Sequence, residues 1–185
     1  SFRSEGGATD HLFSEPVARA EIVLGKTAGL ITVHALSVLL GFSLTGILIG
    51  WKVGTAGLGS YLALIGVTLL LGLVFISLSA LITILAIRGV RAFAVVLVAW
   101  VFLALIFDLL VIGLGVTLPE PWSNRAATIA VFLNPIDATR IATLLLISGK
   151  EMLGSAGAHL IRSLGGTHEA VALLLSTLVA WFGLA

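Results

Sequence analysis

The chain has no cysteine and a single methionine, Met152, which excludes disulfides, thiolate metal sites and thioether clusters. Charge is scarce as well. Only 10% of the 185 residues are Asp, Glu, Lys or Arg, against about 25% in soluble domains. An ordinary soluble globule is excluded. No excess of one sign exists either: the net charge is +1, so a basic nucleic-acid-binding surface is not expected. Of the four histidines, His159 and His168 stand nine apart with glycines between them, which is not the spacing of a zinc or copper site. His11 reads as a loop residue, and His34 as a hydrogen-bonded structural histidine inside a span. No serine sits in a nucleophile-elbow context. "GKT" at Gly25 to Thr27 resembles the end of a phosphate loop, but the glycine required five residues earlier is Ala20. No catalytic residue, metal site or cofactor is therefore expected in this chain.

What is present is apolar. Hydrophobic residues make up 59% of the chain and mean hydropathy is +1.19. A spanning helix needs about 20 mostly apolar residues, and three segments supply them: 27–50, 58–87 and 92–118. No charged residue lies between Lys52 and Arg88. The final apolar run, 170–185, is shorter. Because the chain opens on a polar stretch without Met and closes within an apolar one, it is expected to be part of a longer protein whose last span is cut. The expected fold is an all-α integral membrane helical bundle with three full transmembrane helices and a truncated fourth. A polar segment, 1–26, precedes the bundle, and a segment of short helices, 119–169, interrupts it.

Helix signals are strong in that interruption. In "NPIDATRIATLLLISG", Asn134 can serve as N-cap, Pro135 as first helical residue and Asp137 as the acid near the positive helix end, with Gly149 just past the stop. Ile136, Ile141, Leu144 and Leu145 should then face the membrane domain. Ser123 can cap "NRAATIAVFL". The basic residues give the orientation. Arg3, Arg19, Lys26, Arg88 and Arg91 are concentrated in short loops on one side, which should be cytoplasmic. Lys52, Arg125, Arg140, Lys150 and Arg162 are spread over the longer opposite side. Segment 119–169 is then extracytoplasmic. Two GxxxG pairs, Gly25/Gly29 and Gly46/Gly50, offer close helix approach.

One acid interrupts the apolar run "VFLALIFDLLVIGLG". Asp108 is affordable there, because the surrounding Leu, Ile, Val and Phe outweigh the roughly 3 kcal/mol that one central acid costs on insertion. Ser43 and Thr68 lie at similar depth on the two preceding spans. Asp108 is expected to bond one of those hydroxyls or a second copy of the chain, as a clamp or as a transport-path group.

On the cytoplasmic side, a helix over 8–14 ends before Pro16, and a second one leads into the first span. Such a helix-turn is a docking knob. Leu12 and Phe13 would be its apolar anchors and Asp10 and Glu15 its polar rim. From the residues alone, a proton-coupled carrier protonated at Asp108 and a non-transporting membrane scaffold both remain open.

The segment "RSEGGATDHLFSEPVARAEIVLGKTAGL" resembles the cytoplasmic coupling region of type-2 ABC transporter permeases. Glu5, Gly7, Asp10, Ser14, Pro16, Val17, Arg19, Glu21, Ile22, Gly25 and Lys26 stand at the places of that pattern. Gly6-Gly7-Ala8 and His11 depart from it. "FDLLVIGLG" and "FLNPIDATRI" resemble a narrower group, the permeases that serve maturation of the copper enzyme nitrous-oxide reductase. The resemblance implies a six-span permease in the bacterial inner (plasma) membrane, acting as a dimer. It further implies a separate ABC ATPase subunit that carries ATP and magnesium, docking through Glu5, Gly7, Asp10, Leu12, Phe13, Glu15, Pro16 and Arg19, and a periplasmic accessory protein. A type-2 exporter of a drug, a lipid-like compound or an ion is the alternative within the same family.

Overall fold

A computed structural model describes residues 19–54, 57–85, 89–148 and 153–185. Among the described residues the chain is helical and contains no strand. Glu5, Gly7, Asp10, Leu12, Phe13, Glu15 and Pro16 lie outside them, and Arg19 is the first residue of a helix.

The helices follow the apolar runs. α1 (Arg19–Val53) and α2 (Leu58–Leu85) cross in opposite directions. The third span, Val90–Thr117, has three parts: α3 (Gly89–Val101), a π-helical segment (Phe102–Ile106) and α4 (Phe107–Thr117). α5 (Trp122–Leu133) and α6 (Pro135–Ser148) meet at a 100° bend. α7 (Gly154–Ser163) is short, and α8 (Thr167–Leu184) is the fourth span. The starts of α2, α5 and α8 lie at the same end of the bundle as the close of α4, here the upper end.

Two local features fix the upper chain path. α7 ends in a Schellman turn, in which the Gly166 N–H donates to the Ile161 carbonyl (3.0 Å) and the Gly165 N–H to that of Arg162 (3.4 Å). The turn places Gly165 at φ +96°, which glycine adopts without strain. Ser123 does not cap α5, which begins at Trp122 without a side-chain cap. Its hydroxyl instead donates to the Gly115 carbonyl at 3.1 Å, pinning the start of α5 to the top of α4.

The core lies between α2, α6 and α8. Ala138, Ala142 and Leu145 form the buried face of α6. They meet Ala170, Leu174 and Leu178, one helical stripe of α8, and Val67 and Val74 of α2. The two alanines of α6 let the three helices approach closely. Leu145 faces the core as expected, but the alanines form the rest of that face, while Ile136, Ile141 and Leu144 are only half-buried. Among the described residues, α1 packs chiefly on α2.

Of the four glycines in the GxxxG pairs, Gly46 alone lies against α2 among the described residues. Among the described residues no neighbour lies within 4 Å of a Cβ built on Gly25, Gly29 or Gly50. A Cβ on Gly46 would meet the Tyr61 ring at 2.8 Å, and Tyr61 donates its hydroxyl to the Phe42 carbonyl. The closest approach is His34 over Gly72, where any side chain on residue 72 would collide with the imidazole. His34 is not the hydrogen-bonded histidine expected: its Nε2 is buried without a partner among the described residues.

Candidate functional site

The polar centre of the bundle is built at the α5–α6 bend. Asn134 is extended (φ −115°, ψ 111°) and fully buried. Its own N–H closes α5 by donating to the Ala130 carbonyl (3.1 Å), and its Oδ1 opens α6 by accepting from the Ile136 N–H (3.0 Å). Pro135 occupies the first helical position, where a missing N–H costs nothing. The Asn134 amide has two donors, and both are used. Nδ2 donates to the Leu103 carbonyl (2.8 Å) and to Asp137 Oδ2 (3.0 Å). One residue thus ends a helix, starts the next and ties both to a span.

Arg140, one turn further along α6, brings in Asp108. Its Nη1 lies 2.9 Å from Asp108 Oδ2 on α4 and 3.2 Å from Asp137 Oδ1. Asp108 is thus paired, but not with Ser43 or Thr68. Those hydroxyls turn back onto their own helices, bonding the carbonyls of Leu39 and Leu64. This is the ordinary way a serine or threonine is satisfied inside an apolar helix. Arg140, counted from the sequence as a loop charge, is instead the counter-ion of the intramembrane acid. The signal available was an Asp and an Arg at i, i+3 on one face of an otherwise apolar helix.

The site is deep. Leu103, which accepts from Asn134, is midway along the Val90–Thr117 span and fourteen residues from its upper end, roughly 21 Å at helical rise. A second marker agrees. Trp181 Nε1 donates to the Phe132 carbonyl (3.4 Å), and Trp181 is also fourteen residues below the start of α8. α6 then rises again until the Leu146 carbonyl meets the Ser60 hydroxyl near the top of α2 (3.3 Å). The α5–α6 pair is therefore a broken helix inserted into the bundle, deeper than the short outer helices expected from the sequence.

The π-helical segment ends two residues before Asp108 and contains Leu103. Such a segment holds one more residue per turn than the α-helix around it and changes which face the following residues present. The side chain of Arg140 is 53% exposed and that of Asp108 29%, so one side of the pair is open. Among the described residues no group of three or more His, Asp or Glu is placed to hold a metal ion.

Residues 4–185 match the family described as ABC-2 family transporter protein. The chain is 31% identical over 184 residues to the "Probable ABC transporter permease protein NosY" of Stutzerimonas stutzeri, covering 97% of this chain and 65% of that protein. It is also 31% identical over 144 residues to the protein of the same name from Pseudomonas aeruginosa, covering 76% of this chain and 52% of that one. The chain thus spans less than two thirds of the length of either relative.

Proposed function

The chain belongs to the ABC-2 family of transporter proteins, and from that membership we propose that it is the membrane-spanning permease part of a transporter for copper-site maturation of nitrous-oxide reductase. The cargo is copper or a sulfur species. Two copies work with two cytoplasmic ATPase subunits, which hold ATP and magnesium, in the inner membrane, and a periplasmic accessory protein receives or delivers the cargo. The upper end of the bundle is then periplasmic.

One observation carries this reading. The stretches whose sequence resembles the narrower permease group, "FDLLVIGLG" and "FLNPIDATRI", contain Asp108 and the set Asn134, Pro135, Asp137 and Arg140, and these residues meet in space. A guanidinium facing hydrocarbon at this depth would cost about 2.5–3.5 kcal/mol on insertion scales. The open side of Arg140 is therefore a place for water, cargo or another protein surface, and the pair lines the path. When ATP closes the ATPases, the span bearing Asp108 shifts against α6, and Arg140 passes between Asp108 and Asp137. Ser43 and Thr68 stay outside this exchange.

The test is complementation in a nitrous-oxide-respiring host that lacks its own permease gene. The full-length protein should restore copper to the reductase, and Asp108→Asn should not, although it inserts normally and retains its ATPase. Restoration by Asp108→Asn equal to the unsubstituted protein would remove the path assignment. Fully metallated reductase in the deletion host would remove the maturation role. Docking is checked separately: Phe13→Ala should release the ATPase on purification while the permease still inserts.

A further inference from the structure

Asp137 has a second side. Besides its contact with Arg140, it lines a partly open cavity of about 280 Å³ bordered by α4, α5, α6 and α7. Val111, Val131 and Ile141 supply apolar wall, and Asn124, Thr128 and His159 are the other polar residues of its lining. The volume is just below the roughly 300–1,000 Å³ typical of small-molecule sites, and mostly apolar walls with a few convergent polar groups are their usual lining.

Charge decides what fits. Among the described residues Asp108 and Asp137 share a single guanidinium, so with both carboxylates ionised the cluster carries one negative charge more than positive. Each Asp137 oxygen already accepts one hydrogen bond, from Asn134 or Arg140, and each retains a lone pair. An uncompensated charge in surroundings this apolar is costly, and a bound cation removes that cost. A bare transition metal is a poor match, because the cavity offers one carboxylate and one imidazole, where such ions take four or more ligands. An ammonium group on an apolar body needs only one carboxylate and apolar walls.

We infer that the cavity between α4, α5, α6 and α7 is a binding site for a small organic monocation, its ammonium on Asp137 and its apolar body against Val111, Val131 and Ile141. Occupancy is coupled to the ion pair. A cation on Asp137 competes for the carboxylate that Arg140 now shares, and leaves Arg140 to Asp108 alone. The inference does not rest on the transport reading, since binding is measured without ATP.

The experiment is calorimetric titration of the full-length protein in lipid nanodiscs with 2-phenylethylammonium and, in parallel, with neutral 2-phenylethanol. A buffer near pH 8 keeps an ordinary imidazole, with a pKa of about 6.5, neutral. The ammonium compound should bind at least tenfold more tightly than the alcohol. Asp137→Asn should abolish that preference, and Ala127→Phe, which fills the cavity from α5, should abolish binding of both. The second variant leaves every residue of the ion-pair cluster in place, so it stands even if Asp137→Asn folds poorly. Equal binding of the two compounds, no binding of either at millimolar concentration, or preference for the cation that survives Ala127→Phe would each overturn the assignment.

Discussion

Arg140 and Asp108 are thirty-two residues apart in sequence and 2.9 Å apart in space. The contact joins a broken helix to a span that otherwise carries only apolar side chains at this depth. Arg140→Ala leaves Asp108 and Asp137 facing each other without their shared cation. We expect it to destabilise the protein by about 1.5–3 kcal/mol, the range for hydrogen bonds to charged groups. Asp108→Asn should cost less, because an amide oxygen still accepts from Arg140. Thermal unfolding in detergent checks the order, and a double-mutant cycle checks the contact. A coupling energy indistinguishable from zero would mean that the two side chains do not interact.

Asn134 offers a sharper contrast. Asn134→Ala removes the cap of α6, worth about 1 kcal/mol, together with the bonds to Leu103 and Asp137. Asn134→Asp keeps a capping oxygen but lacks the donors, and sets a second carboxylate beside Asp137. The aspartate variant, normally a good cap, should be at least as damaging as alanine. If it proved as stable as the unsubstituted protein, the amide donors would be irrelevant.

The seat of His34 on Gly72 predicts a rescue. Gly72→Ala introduces a methyl group where the imidazole lies, and overpacking of this kind typically costs about 1–3 kcal/mol. His34→Ala in the same chain should recover most of that loss. Thermal stability of the two single variants and the double variant decides. A double variant as unstable as Gly72→Ala alone would show that another neighbour limits the space.

At the core, Ala142→Leu forces a larger side chain between α2, α6 and α8, where residue 142 is fully buried. Leu178→Ala empties the same interface and should cost about 2–5 kcal/mol. Both should lower the unfolding temperature, whereas Ile147→Ala, at an exposed position of α6, should hardly change it. Equal shifts for all three would argue against a core in this place.

Much of this architecture was legible in the sequence. Charge-free runs announced the spans, and "NPIDATRI" announced where α6 begins, because both signals are local. The partner of Asp108 was not legible. Ser43 and Thr68 were the nearest polar residues by depth, but a hydroxyl in an apolar helix is satisfied by its own backbone. Arg140 reached Asp108 only through the inward course of α5 and α6. Short amphipathic helices that lie on a surface and those that dip into a bundle share the same composition, so depth was hidden. The π-helical segment left no mark in "FLALI", and the larger aliphatics of α6 masked its small-residue face, Ala138 and Ala142. The docking residues expected over 5–16 lie outside the described residues.

The π-helical segment can be tested by length. Removing Ala104 should let Phe102 to Ile106 close into regular α-helix and turn Asp108 by about 100°. Asp108→Asn should then have no further effect on stability in the shortened chain. An unchanged effect would show that Asp108 still finds Arg140.

The inserted course of α5 and α6 also governs the parity of the chain. The pair is apolar and long enough together to pass as one more crossing, yet it enters and leaves at the same end, so it contributes zero to the count of sides. Scored as a crossing, it would invert the assignment of every residue after 148. With the observed path, α8 descends toward the end where α1 begins. Accessibility labelling of single cysteines, which the cysteine-free chain permits without background, should place residues 120 and 166 on one face of the membrane and residue 89 on the other.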